Sequence, residues 1–589
     1  MNTEWSLDVF YQSYEDENFK KDYERYEQLI SDFTDFSETL KKKEVDKEQA
    51  ILTAINYMEQ IEVLHRKLGG YTFLRKSTNT MDVETTGVQS RLKKLTSTLS
   101  KPQAITKKFI ANISDLDQYI EKHIILKEYE FKLHSLKENS KYMLSDDVEE
   151  VISKLNLSAG SAFGTMHQYL TSTLEVRYQG KNVTLSEIRN LAYSEEKDVR
   201  KAAYEAELEA YEKIKDPISF SLNNIKTQMN TICELRGYES ALEKTLKDAH
   251  VKQETLDAML SAMREYMPKF HQYLRRKAEM LGYSNGLPWY ELFAPVGESS
   301  RTFSIEEAKD YLVNHFRGFA SDIADMIETA FDKKWIDFYP RKGKVGGAFC
   351  SNLPFLGESR VLTNFDGMLG DVVTLAHELG HAYHGSMICE NAPLNWDYSM
   401  LVAETASNFN ETVIMNAAIA EASGREKMAL IENRLQDVTQ IMCDIYSRFL
   451  FETEVFDKTQ TGFLFAEELK KMMLSAQKEA YGNGLDHEYL HPYMWVNKGH
   501  YYRDTLSYYN FPYAFGGLFA RGLYEKYLEE GERFLPKYRE LLKKTTVCSA
   551  EDVAKIAGID LENPEFWRKS LEGYAREIDE FIELSKQYK

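Results

Sequence analysis

His377-Glu378-Leu379-Gly380-His381 is the stretch from which the rest of the chain can be read. It is an H-E-x-x-H pattern. On an α-helix, residues four apart lie on one face, one turn from each other. Two imidazoles so placed hold one zinc ion, and the glutamate between them can act as general base. His377 and His381 are therefore candidate ligands, and Glu378 is the candidate base. The flanks suit a buried helix. Val372-Val373-Thr374-Leu375-Ala376 is mostly apolar, and Asp371 is expected as the N-cap.

A catalytic zinc takes three protein ligands and keeps one position open for water. The metzincin continuation, Gly and then His, is absent, because His384 and Met387 stand at those positions. His384 falls near the His377 face, but a third ligand on one short helix closes a tetrahedron poorly. His384 is expected behind the ligands or in the core. The remaining common solution is a glutamate on a following helix. Ser399 to Glu411 has a helical period that puts Glu404, Asn408 and Glu411 on one face. A carboxylate beside Leu401-Val402-Ala403 is costly unless it binds something. Glu404 is thus the expected third ligand, and Glu411 is expected to orient a ligand histidine. One Zn2+ per chain follows, although cobalt or manganese suits the same donors.

Ala376-His377-Glu378-Leu379-Gly380-His381-Ala382 and Val402-Ala403-Glu404-Thr405-Ala406-Ser407-Asn408-Phe409-Asn410-Glu411 together resemble the M3 zinc metallopeptidases, most closely the oligoendopeptidase F branch. Trp5-Ser6-Leu7-Asp8 resembles the start of those enzymes. Gly343-Lys344-Val345-Gly346-Gly347-Ala348-Phe349-Cys350 resembles their glycine-rich segment before the zinc helix. The resemblance implies a mostly α, multi-lobed peptidase with a deep substrate channel and a small β element beside the zinc helix. It implies short, unstructured peptides as substrates, cut at internal bonds. It also implies that a histidine and tyrosines after Gly499 stabilise the oxyanion. His500 and Tyr509 are the choices for that role, with Tyr508 and Tyr513 next, on the substrate side. By themselves, Gly346, Gly347 and Ala348 read equally as a tight turn or as an edge strand to which a peptide backbone adds. The resemblance favours the edge strand. An exopeptidase of the same chemistry stays open. So does a scaffold with structural zinc, with Cys389 nearby, although Glu378 has no task in such a site.

The bulk properties agree. The chain has 589 residues, 43% of them hydrophobic, which is enough for a large core and more than one lobe. Its formal net charge of −20 argues against nucleic acid as a partner. No run of about 18 apolar residues suggests a membrane partner. Met1 to Lys21 is polar and acidic, without a signal pattern. Five cysteines, with no C-x-x-C pair, are expected as reduced thiols in the cytoplasm. The oligomeric state is left open.

Only 12 prolines and 30 glycines punctuate long amphipathic periods. Helices are expected at Phe19–Leu40, Lys47–Leu68, Met81–Leu99, Leu116–Leu136, Asp146–Leu155, Ser194–Lys215, Ser219–Arg236, Gln253–Leu281 and Ser304–Phe331. Pro102 is expected to break the chain and Pro268 to kink or split its helix. Gly160–Thr165 is expected as a turn and Leu174–Val183 as a hairpin. Trp335–Phe338 and Gly346–Cys350 are expected as strands. The expected regions are 1–110 (N-terminal helical), 111–195 (helical subdomain) and 196–589 (catalytic).

Overall fold

The computed structural model describes residues 3–42, 44–297 and 301–588. The chain forms two compact units, each assembled from three segments. The first comprises Met1–Met143, Ser300–Met415 and Tyr527–Gly558. The second comprises Leu144–Ser299, Asn416–Lys526 and Ile559–Lys589. Both are mostly helical.

In the first unit, Asp16 and Asp46 cap the helices Glu17–Thr39 and Lys47–Thr78 through their side chains. Their facing apolar sides make a core around Tyr26, Phe33, Leu68 and Tyr71. The Leu116–Leu136 period forms three short helices rather than one, Leu116–Lys122, Ile124–Glu128 and Glu130–Asn139. Ser304–Phe331 likewise splits, at Ala320, where the backbone is extended. The break expected at Pro102 falls just ahead of it, at Thr98 and Leu99 between the helices Val83–Ser97 and Ser100–Ala111. Pro102 sits in the first turn of the second helix, where its missing N–H has no helical partner to lose.

The second unit holds a hairpin of two strands, β1 (Glu175–Tyr178) and β2 (Lys181–Thr184). Its two-residue turn places Gln179 and Gly180 at φ 49° and 79°, the left-handed pair that matches the twist of a hairpin. The helix Gln253–Met280 continues through Pro268 without splitting. Gly160–Thr165 is not a turn but the start of the helix Gly160–Ser172. Its small residues serve close approach. A Cβ at Gly164 would stand 2.8 Å from the Tyr502 carbonyl oxygen. That signal looks like turn chemistry in the sequence and is packing in the fold.

The small sheet of the first unit has the order β3 (Ile336–Asp337), β5 (Glu358–Leu362) and β4 (Phe349–Leu353), with β5 central. β3 runs parallel to β5 and β4 antiparallel, with Cys350 opposite Val361. The expected Gly346–Cys350 strand begins only at Phe349. Gly346, Gly347 and Ala348 precede it as a bend, with Gly347 at φ 77°. Asn364 Nδ2 holds that bend through the Val345 and Gly347 carbonyls. Among the described residues, no helix is long and apolar enough to cross a membrane.

Candidate active site and metal centre

The zinc-motif helix runs from Leu369 to Ile388. Its N-cap is Met368, not Asp371. Asp371 sits in the first turn and accepts the N–H groups of Asp366 and Met368, at 3.0 Å each. It still caps the helix, but from inside. Leu369, Val372, Leu375, Ala376 and Leu379 bury the helix in the unit. The segment after it is not one helix. Met400–Ala403 ends at Glu404, whose φ of −90° and ψ of 9° leave helical geometry, and Thr405–Glu421 starts afresh. That break aims Glu404 at the motif.

Glu404 Oε2 lies 3.3 Å from His377 Nε2 and 3.3 Å from His381 Nε2. The three donor atoms fall within 4.8 Å of one another. In a tetrahedral zinc shell, with arms of about 2.0–2.2 Å, neighbouring donors stand roughly 3.3–3.5 Å apart. The donor set therefore fits zinc in both kind and spacing. His377 turns its other nitrogen to Glu411, Nδ1 to Oε2 3.2 Å, which fixes the ring as carboxylates do behind zinc-bound imidazoles. Ser407 Oγ donates to Glu404 Oε2 at 2.7 Å.

The charges agree with a cation site. Burial pushes His377 down, but the Glu404 and Glu411 carboxylates outweigh it and hold the imidazole at about 10. Burial pushes Glu404 up, but the two histidines pull it well below the carboxylate range. Glu378 is 7% exposed, and burial raises its carboxyl above the ordinary value. The Cys350 backbone N–H of β4 donates to it.

His384 is fully buried and turned elsewhere. Its Nε2 lies 2.7 Å from Thr545 Oγ1, and its ring stacks on Tyr398 at 4.4 Å. Thr545 gives its own hydrogen to the Leu542 carbonyl, so His384 must be the donor. Burial, with His381 nearby, pushes this imidazole down to about 3. It is a neutral core histidine outside the donor cluster.

In the second unit, His500, Tyr509 and Tyr513 form one aromatic group. Their ring centroids are 4.8 Å apart for His500–Tyr509, 5.8 Å for His500–Tyr513 and 5.4 Å for Tyr509–Tyr513. The Arg503 guanidinium stands 5.0 Å over Tyr509. Burial and the cations Arg448, Arg503 and Lys498 push His500 down to about 4, so it is neutral at pH 7. Tyr513 is 40% exposed. Tyr508, expected on the substrate side, is a core residue. It is 3% exposed, packs on Phe449 and Phe456, and sits at φ 52°.

Two supports escaped the sequence reading. Gly380 lets the motif helix touch the next one, since a Cβ there would lie 2.6 Å from Ser407 Cα. Glu452 holds the Tyr508–Asn510 turn, accepting the Tyr508 N–H at 3.1 Å and Asn510 Nδ2 at 2.7 Å. A glycine inside H-E-x-x-H was the only visible hint of the first, and nothing local marked the second.

Two histidines one turn apart, a glutamate across from both and a buried carboxylate between them are the donor set and base position of a zinc metallopeptidase. Residues 190–573 match the model of peptidase family M3, and residues 112–175 match that of oligopeptidase F. The chain belongs to peptidase family M3, in its oligoendopeptidase F branch. It is 24% identical to oligopeptidase PepF of Bacillus subtilis, covering 99% of this chain and 88% of that one. It is also 24% identical to an oligoendopeptidase F homolog of Lactococcus lactis, covering 92% and 91%. The fold superposes on a putative peptidase from Chlamydophila abortus with a TM-score of 0.84, at 18% identity over 99% and 98% of the two chains. For oligoendopeptidase-F from Enterococcus faecium the TM-score is 0.72, at 18% identity over 96% and 99%.

Proposed function

We propose that this enzyme hydrolyses internal bonds of short, unstructured oligopeptides, with Glu378 as general base. The observation that carries this reading is Glu404 Oε2 at 3.3 Å from both motif imidazoles, with the buried Glu378 on the same helix. His377, His381 and Glu404 would hold the metal. When bound, zinc supplies Lewis acidity, making the attacking water acidic and polarising the scissile carbonyl. Glu378 takes the water proton on its carboxylate and passes it to the leaving amine nitrogen. Its raised pKa suits the second step, and the Cys350 N–H keeps the carboxylate oriented. Glu411 keeps the His377 ring in place and its Nε2 free for the metal.

Neutral His500 and the Tyr509 hydroxyl are the proposed donors to the oxygen that gathers negative charge. Tyr513 and the Gly346-Gly347-Ala348 bend are proposed to contact the substrate backbone. Open backbone around Gly346 and Gly347, where a Cβ would meet nothing within 4 Å, supports the latter. The catalytic machinery is assigned to residues 196–589, which follow the N-terminal regions 1–110 and 111–195 in the chain. The proposed location is the cytoplasm, which five free cysteines support.

The test is an internally quenched oligopeptide, blocked at both ends, with and without a zinc chelator. Chelator-sensitive cleavage at an internal bond is expected. Trimming of an unblocked peptide alone would replace this reading with an exopeptidase.

A further inference from the structure

Within the second unit lies a cavity of about 360 Å³ whose charges do not balance. Arg200 is spent on Glu291, at 2.5 Å. Arg189 stands 3.3 Å from Glu207, and Arg448 pairs with Asp444. The Lys498 ammonium, which lines the same cavity, has no hydrogen-bond or ion-pair partner among the described residues, and Asp444 and Glu207 attract it only from farther off. Burial, with Arg448 close by, pushes it down to about 8.

Two neutral donors on the cavity wall are also unspent. Gln440 Nε2 is buried without a partner, as is His491 Nε2. His491 is 1% exposed, and its Nδ1 accepts the Tyr493 N–H, so its proton sits on Nε2. The nearest carboxylate oxygen, on Glu207, is 3.6 Å away, beyond a hydrogen bond. Buried donors left open are rare and costly. Gln440 also opens a π-helical turn, Gln440–Asp444, inside a long helical run. Such turns widen the helix and cluster at functional sites. The rest of the wall includes Trp289 and Phe293.

We propose that this cavity binds a small organic carboxylate, with its oxygens on Lys498, Gln440 and His491 and its apolar part against Trp289 and Phe293. One unmatched cation and two free N–H donors complement a carboxylate, which only accepts hydrogen bonds. The aromatic wall favours an organic acid over a hydrated inorganic ion, and the volume suits a small ligand. The site stands apart from the peptidase reading and does not depend on it.

Calorimetric titration of the zinc-loaded full-length enzyme with N-acetylphenylalanine tests the proposal. Saturable binding is expected, weakened about ten-fold or more for N-acetylphenylalaninamide, for Lys498→Met and for Gln440→Leu. Inorganic phosphate is expected to bind more weakly than the organic acid. A peptide with the same C-terminal residue, added to the Glu378→Gln enzyme, separates the two sources of carboxylate. Equal affinity assigns a chain terminus and weaker affinity assigns a free acid, and both support the site. Equal binding of the amide overturns the proposal. So does binding that survives both cavity variants, or that disappears only when zinc is removed.

Discussion

Gly380 approaches Ala406 so closely that a Cβ on Gly380 would stand 2.5 Å from the Ala406 carbonyl oxygen. The contact is backbone against backbone, so no side chain can yield. It is also the contact that brings Glu404, two residues before Ala406, within reach of His377 and His381. Gly380→Ala should therefore push the two helices apart, with an overpacking penalty of about 1–3 kcal/mol. Zinc content and peptidase activity should fall together, by metal analysis and fluorogenic assay. Full zinc content in this variant would show that the close approach does not set the site.

Glu378→Gln keeps the size of the side chain and removes the proposed base. All three metal donors remain, so bound zinc should be unchanged. Turnover should drop by roughly 10²–10⁴-fold, the usual contribution of a positioned base. Metal analysis and kcat on a quenched peptide, measured on the same preparation, check both halves.

Glu411 meets the site through His377 Nδ1, at 3.2 Å. Glu411→Gln should lower zinc affinity about 10–100-fold while leaving the fold intact. Competition with a chelator of known affinity measures this. An unchanged affinity would remove Glu411 from the centre.

Glu452 carries the Lys226 ammonium at 2.6 Å on the same oxygen that accepts the Tyr508 N–H. The two side chains are 2% and 1% exposed. Glu452→Gln leaves a buried cation unpaired, and should destabilise the protein by about 3–5 kcal/mol. Adding Lys226→Met should recover much of that loss. Denaturant unfolding of both single variants and the double variant closes the cycle.

His167 is buried, stacks on Tyr502 at 3.7 Å and donates from Nε2 to the Val496 carbonyl at 2.8 Å. Burial lowers its pKa from 6.5 to about 4. Between those values the unfolded chain binds a proton that the native chain refuses. The stability carried by the neutral ring is therefore full above pH 6.5 and is lost as pH falls towards 4. The slope for one such group is at most about 1.4 kcal/mol per pH unit. His167→Asn should flatten the acid limb of unfolding free energy against pH, and an unchanged limb would assign the loss to other groups.

The sequence by itself determined the helical class and the donor group His377, His381 and Glu404, and it pointed to Glu378 as the base proposed here. These rest on local rules. A four-residue spacing places two side chains on one helix face wherever that helix packs, and a buried carboxylate needs a partner in any fold. Where local signals carry two meanings, the tertiary structure chose. Gly160 and Gly164 serve helix contact rather than a turn, and the period across Ser399–Glu411 concealed the break at Glu404 that aims its carboxylate. Tyr508 looked like its neighbours Tyr509 and Tyr513, yet a left-handed backbone and a carboxylate distant in sequence turn it into the core. Lys498 as an unmatched cation was equally invisible. Pairing of charges, like close approach of helices, depends on which distant segments meet, and only the packed chain decides that.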